Sequence, residues 1–303
     1  MSVADGQVRA GDGLQPCLAE LVALATDVRL RARHRRPLRS AQPGQRASRL
    51  AGRGMDHADS RPYTPGDEAR HVDWRVSARS SQLYSKRFHA ERERMCLVLA
   101  DPHPAQFFGT RQRFKSVQAA RVGAAAAWWA MGQGDRVGLL DSASNTPLLA
   151  GTGQAAVMRV LQGLLQAYRQ PPVLPAQPLS VHLEQAARLC RGGTLVLVAD
   201  IARTAAVPAS VWQACSRHLQ LHVVSVFDVL ELEPPRQALR LSADDGVQRV
   251  DFSRPALRQA WLAQYQQPLQ ALQALSGPRL KVHVVMADEP ADAWLPQPVP
   301  EVA

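Results

Sequence analysis

Residues 95–101 read MCLVLAD: an unbroken apolar run closed by an aspartate. Nothing alternates in it, so it predicts a strand covered on both faces rather than a half-exposed one. The same shape returns downstream as DRVGLLD (135–141), TLVLVAD (194–200), LQLHVVSVFD (219–228) and RLKVHVVMADE (279–289). Helical patterns separate the runs, at 112–131, 153–169, 180–190, 208–218 and 254–275. Strands alternating with helices predict an α/β fold, a doubly wound, mainly parallel sheet with helices on both faces. TPLLAG (146–151) reads as a short antiparallel neighbour, and 238–241 with 248–252 as a second antiparallel pair. No internal repeat is visible.

In such sheets ligands bind outside the carboxyl ends of the strands. Asp101, Asp141, Asp200, Asp228 and Asp288 all fall at predicted strand ends. A single strand-terminal aspartate commonly caps the next loop. Several on one rim raise the prospect of a cation or polar site.

The 303 residues are 46% hydrophobic and 20% charged, an ordinary globular balance with room for one large core or two smaller ones. Net charge is +10 and the isoelectric point about 10.3, with the excess concentrated in N-terminal arginines. Such a face suits nucleic acid, anionic lipid or an acidic protein, or is simply solvated. Cys17, Cys96, Cys190 and Cys215 are far apart and form no C-x-x-C pair, as expected of reduced thiols. No signal-peptide pattern and no apolar run of membrane-spanning length is present, so a cytoplasmic location is expected.

Three regions are expected. Residues 1–48 hold a helix within 14–34 and a basic connector carrying Arg35, Arg36, Arg39 and Arg46. Residues 49–94 form a small covering module of strand and turn. Residues 95–303 form the sheet domain. The module contains RPYTPGDEARHVDWRVSAR (61–79), a polar stretch with two large aromatics. Asp67 is placed to cap a short helix from Glu68 into DWRVSAR, and 83–88 alternates as a half-exposed strand.

Catalytic motifs are few. There is no G-x-x-x-x-G-K-[ST], no G-x-S-x-G and no H-E-x-x-H. Gly151-Thr152-Gly153 opens a helix but lacks the acidic residue a dinucleotide site needs. His218 and His222 straddle an element boundary and read as structural.

Residues 49–101 carry a dense pattern: Gly52-Arg53-Gly54, Arg61, Tyr63, Pro65-Gly66-Asp67-Glu68, Arg70, Asp73-Trp74-Arg75, Ala78-Arg79, then an apolar strand ending in Asp101. This resembles the signature of the domain-of-unknown-function-58 (DUF58) family, and the alternation downstream resembles the von Willebrand factor A-like domain such proteins carry. The resemblance implies a partner more than a reaction. Family members are linked with MoxR-type AAA+ ATPases, acting together as chaperones on a client protein. It therefore implies a non-enzymatic adaptor or co-chaperone.

The type A fold often holds Mg²⁺ through D-x-S-x-S, a distant threonine and a second aspartate. Here the run is Asp101-Pro102-His103-Pro104-Ala105, so both serines are replaced. Asp200 matches the later aspartate and Ser180 stands loosely near the threonine. Carboxylates without the hydroxyl pair make a poor octahedral site. A degenerate site without bound metal or other cofactor is expected, any partner contact falling on the loop of His103, Gln106, Phe107 and Phe108. The module residues then have two readings. Tyr63, Val72, Trp74 and Phe88 are apolar anchors of a cover, with Arg61, Asp67, Arg70, Asp73 and Arg79 as its ion-pair lattice. Alternatively the lattice docks the ATPase.

Two other functions stay open. A nucleic-acid-binding protein would use the arginines between 29 and 53. A metal-dependent hydrolase would work from Asp101 and Asp200, although no base or nucleophile accompanies them.

Overall fold

In the computed structural model the described residues are 11–33, 57–64, 72–80, 82–88, 94–145, 147–173, 177–243 and 246–295. The chain divides into two compact units, Met1–Arg39 with Arg94–Ala303, and Ser40–Glu93.

The larger unit is α/β. Its sheet contains β3 (Met95–Ala100), β4 (Arg136–Asp141), β5 (Pro147–Gly151), β6 (Thr194–Ala199), β7 (Gln220–Phe227) and β10 (Leu280–Met286). The order is β10-β7-β6-β3-β4-β5, parallel throughout except β5, which runs antiparallel to β4. The apolar runs form strands because both faces are covered. Cys96, Val98, Val196, Val198, Val224 and Val226 face α1 (Leu18–Arg33), α3 (Lys115–Gly132) and α4 (Gly153–Ala167). Leu97, Leu99, Leu195, Leu197, Leu221 and Val223 face α5 (Leu179–Leu189), α7 (Ala209–Ser216) and the end of α9 (Pro255–Gln273). Short helices α6 (Ile201–Ala205) and α8 (Val229–Leu232) follow β6 and β7.

Alanine lets α3 lie deep. Ala119, Ala120, Ala124, Ala125, Ala126, Ala127 and Ala130 are all fully buried. The sequence reading grouped α1 with a basic connector. In the structure its stripe of Leu21, Leu24 and Val28 joins the core beside α3. The Trp128 indole N–H donates to the Leu21 carbonyl at 2.9 Å, and Arg121 pairs with Glu20. On the other flank, α4 approaches β4 so closely that a Cβ on Gly163 would meet Leu139 Cδ2 at 2.3 Å.

The chain leaves β3 for β4 on one side and later returns to β6 on the other. The switch point is therefore between β3 and β6, whose residues pair from Cys96↔Thr194 to Ala100↔Val198. Between β7 and β10 the chain inserts a hairpin, β8 (Ala238–Ala243) and β9 (Gly246–Asp251), and then α9.

The smaller unit pairs β1 (His57–Pro62) antiparallel with β2 (Tyr84–Phe88). The sequence reading found β2 and missed β1, whose HADSRP is too polar to signal a strand. Helix α2 (Trp74–Ser77) is capped by Asp73, whose Oδ1 accepts from the amides of Arg75 and Val76 at 3.2 Å each. The expected cap, Asp67, lies outside the described residues together with Pro65, Gly66, Arg70 and the arginines of 35–53. So do the Arg61 and Phe88 side chains. Trp74 does not serve as a buried anchor: it is 67% exposed at the first position of a single-turn helix that buries none of its residues. The buried positions here are Val72, Asp73 and Ser85, while Tyr63 is half-buried and Arg75, Ala78 and Arg79 are exposed.

Candidate functional site

Asp101 follows β3 at the switch point and is completely buried. Its amide donates to the Val198 carbonyl of β6 at 3.0 Å, which extends the strand pairing into the rim. A buried carboxylate needs donors, and it has three. Arg203 of α6 grips it with Nε on Oδ2 at 3.0 Å and Nη2 on Oδ1 at 2.9 Å, the two-pronged geometry of a strong charge pair. The Ser142 hydroxyl, just past β4, donates to Oδ1 at 2.6 Å. Arg203 Nη2 also donates to the Gln177 carbonyl at 3.0 Å.

Asp200 follows β6 and caps α6, its Oδ1 accepting from the Ala202 amide at 2.9 Å. Its Oδ2 accepts from the Lys115 ammonium at 3.1 Å. The same ammonium donates to Glu231 Oε1 at 2.6 Å, and all three side chains are at least 96% buried. Burial pulls the Lys115 ammonium toward neutrality, but the Asp200 and Glu231 carboxylates more than offset it and leave its pKa raised. Burial pushes the Glu231 carboxyl upward, while Lys115 and the Asp228 amide pull it back. The lysine remains an ammonium between two acids.

The lattice continues along the rim. Glu231 Oε2 accepts from the Asp228 amide at 2.8 Å, and Asp228 Oδ1 accepts from the Leu230 amide at 2.9 Å. The sequence F-D-V-L-E thus builds a capping box at the head of α8. Asp228 also takes the Thr110 hydroxyl at 2.6 Å and the Thr110 amide at 2.8 Å. Burial, with Glu231 nearby, raises the Tyr265 pKa. Asp141 only caps its own turn, through the amides of Ala143 and Ser144, and Asp288 pairs with Arg111 at 3.4 Å.

The loop after Asp101 makes one 3-10 turn at Pro104–Gln106. His103 caps it, Nδ1 accepting from the Ala105 amide at 3.3 Å, and burial lowers the His103 pKa. Gln106 was expected to be an outward contact; it is fully buried, its Oε1 accepting from the His103 amide at 3.2 Å. It cannot meet a partner directly. Phe107 and Phe108 are half-buried. Ser180 sits in the first turn of α5 without a hydrogen bond to either carboxylate; Ser142 supplies the hydroxyl instead.

The sequence reading placed Asp101 and Asp200 on one rim, and the fold sets them at the ends of adjacent strands. It missed Lys115, Ser142, Arg203, Glu231 and Thr110. One signal was present for Lys115: a cation at the first position of a long helix opposes the helix dipole and calls for a compensating anion. Among the described residues no three histidines, cysteines or acids are grouped so as to hold a metal ion, and no helix is long and apolar enough to cross a membrane.

Residues 59–270 match the model of a family described as protein of unknown function DUF58. Uncharacterized proteins Rv1480 of Mycobacterium tuberculosis and Mb1516 of Mycobacterium bovis are each 28% identical over 223 residues, covering 71% of this chain and 69% of the relative.

Proposed function

The chain belongs to the DUF58 family, and from that premise we propose that it is a non-enzymatic adaptor of von Willebrand factor A-like fold. In this reading it works with a MoxR-type AAA+ ATPase on a client protein in the cytoplasm. The observation that carries the reading is that the rim carboxylates are held by the protein's own donors: Arg203 and Ser142 on Asp101, Lys115 on Asp200 and Glu231, Thr110 on Asp228. A general acid or base must reach a substrate proton. Here the carboxylate oxygens are committed to the protein's own donors.

The donor set does not fit a divalent cation. Hard cations take six or more oxygens, whereas His103 and Ala105 stand where the metal motif has serines. The guanidinium and ammonium already hold the carboxylates such an ion would use. What remains is an internally hydrogen-bonded platform, and its exposed loops suit protein docking better than catalysis.

The test is co-purification of the full chain with the MoxR-type ATPase of the same genome, with ATP turnover measured with and without it. Association and altered turnover are expected. Failure to associate, together with Mg²⁺ binding lost in Asp101→Ala, would overturn the reading.

A further inference from the structure

The amino ends of the strands contrast with the aspartates at their carboxyl ends. The loops entering β6, β7 and β10 are Cys190-Arg191-Gly192-Gly193, Ser216-Arg217-His218-Leu219 and Ser276-Gly277-Pro278-Arg279. These three strands are neighbours in the sheet, so successive entries lie roughly 4.8 Å apart. Arg191, Arg217, His218 and Arg279 are exposed, as is Lys281, the second residue of β10. No Asp or Glu occurs in 185–199, 201–227 or 252–286, which supply the three loops, the three strands, α7 and α9. The flanking Asp200, Asp228 and Asp288 follow the opposite, carboxyl ends of the strands. On α5, Glu184 already pairs with Arg188, and Asp135 precedes β4, on the far side of β3.

The three loops are tied to one another. The Gly192 amide donates to the His218 carbonyl at 2.7 Å, the Gln220 amide to the Gly193 carbonyl at 2.9 Å, and the Leu221 amide to the Arg279 carbonyl at 2.7 Å. Arg279 Nη1 also donates to the Arg217 carbonyl at the end of α7. A cation suits a helix end with leftover carbonyls, but this bond takes only one donor of a fork that has several more. Between the cations the exposed surface is small or polar: Gly192, Gln220, Ser276 and Pro278. Of the exposed large apolar residues, only Leu189 at the end of α5 borders these loops in sequence.

We propose that this amino-end face binds the phosphate backbone of duplex nucleic acid without reading its sequence. Guanidinium forks match phosphate oxygens. A row of cations across neighbouring strands follows a linear polyanion, and the small residues between them allow close approach. An acidic protein fits less well, because protein interfaces carry an apolar core that this face lacks. A single strand fits less well, because the loops hold no aromatic to stack a base. An anionic membrane fits less well, because Leu189 alone could enter it. The chain's net charge of +10 and isoelectric point of about 10.3 attract polyanions at long range. These cations are other than the arginines between 29 and 53, and the contact does not depend on what the rim binds.

The test uses the full chain and a fluorescent DNA duplex of about twenty base pairs, with anisotropy read at several salt concentrations. Each phosphate neutralised adds about 0.9 to the steepness with which log affinity falls against log salt. Arg217→Gln with Arg279→Gln should therefore reduce that steepness by about 1.8, and the control Arg240→Gln with Arg249→Gln, on the β8–β9 hairpin, by less than about 0.5. Arg279 also supports the end of α7, so Arg217→Gln with Lys281→Gln, which leaves it in place, should give the same reduction at an unchanged melting temperature. No reduction in either test pair, an equal reduction in the control pair, or no binding by wild type would overturn the proposal. So would a loss in the test pairs confined to a peptide rich in Asp and Glu, or to vesicles with about one anionic lipid in three, with duplex binding unchanged.

Discussion

The larger unit handles titratable groups in opposite ways at its buried carboxyl rim and at a half-buried histidine pair. At the carboxyl rim Lys115 is shared by Asp200 and Glu231, and Asp101 is joined to Arg203. Farther along the sheet, at β7 and β10, His222 and His283 meet with Nδ1 and Nε2 3.1 Å apart. Their rings are only 4° from parallel, with centroids 5.2 Å apart, and Trp294 stands edge-on to both. Burial, the partner imidazole and Lys281 lower the His222 pKa to about 4; burial and Lys281 do the same for His283. One imidazole donates to the other and both stay neutral. A buried charge can be matched by an opposite charge or avoided by losing a proton. Carboxylates beside lysine and arginine take the first course, and histidines beside a lysine take the second.

The strongest way to break this comparison is Lys115→Met, which strands Asp200 and Glu231 without their cation. A loss of about 3–5 kcal/mol is expected from urea unfolding at neutral pH. Adding Glu231→Gln should recover part of it, since fewer buried charges then lack a partner. If Lys115→Met is neutral, the rim is wetter than its burial implies.

Arg203→Met tests the other pair and should cost about 2–3 kcal/mol. Arg203 is 15% exposed at its side chain, so water can replace some of the lost donors. Ser142→Ala removes one hydroxyl from Asp101 and should cost about 1.5 kcal/mol, as for a hydrogen bond to a charged group. Equal costs for Arg203→Met and Ser142→Ala would mean that the guanidinium contributes no more than a neutral donor.

The histidine pair gives the smallest effect at neutral pH and a distinct pH dependence. Their folded pKa values of about 4 lie below the usual 6.5, so the unfolded chain takes up protons first. Stability is complete above about pH 6.5 and falls as pH drops toward 4. His222→Phe with His283→Phe should flatten that fall relative to wild type when urea midpoints are compared at pH 7 and 5. An unchanged slope would assign the acid sensitivity to carboxylates elsewhere.

The sheet was plain in the sequence because each strand is an unbroken apolar run, and β3, β4, β6, β7 and β10 fall within a residue or two of where the runs begin. β1 was not, since two-stranded pairing depends on its partner rather than on its own HADSRP. At the rim the aspartates were legible by position, at strand ends, whereas Glu231 within α8 was not. Their partners were not: Arg203 is 102 residues from Asp101 and Lys115 is 116 from Glu231, and only the finished topology joins them. Trp74 illustrates the opposite error, a large aromatic read as buried that the structure turns outward.

The packing of α1 on α3 has a consequence for synthesis. α1 ends at Arg33 and its partner begins at Lys115, with the whole smaller unit lying between them in sequence. At roughly 5–20 residues per second, the apolar stripe of Leu21, Leu24 and Val28 leaves the ribosome several seconds before α3 exists. For that interval the nascent chain carries an uncovered greasy helix with a basic tail behind it. The order of synthesis thus separates this helix from its cover by the whole of the smaller unit.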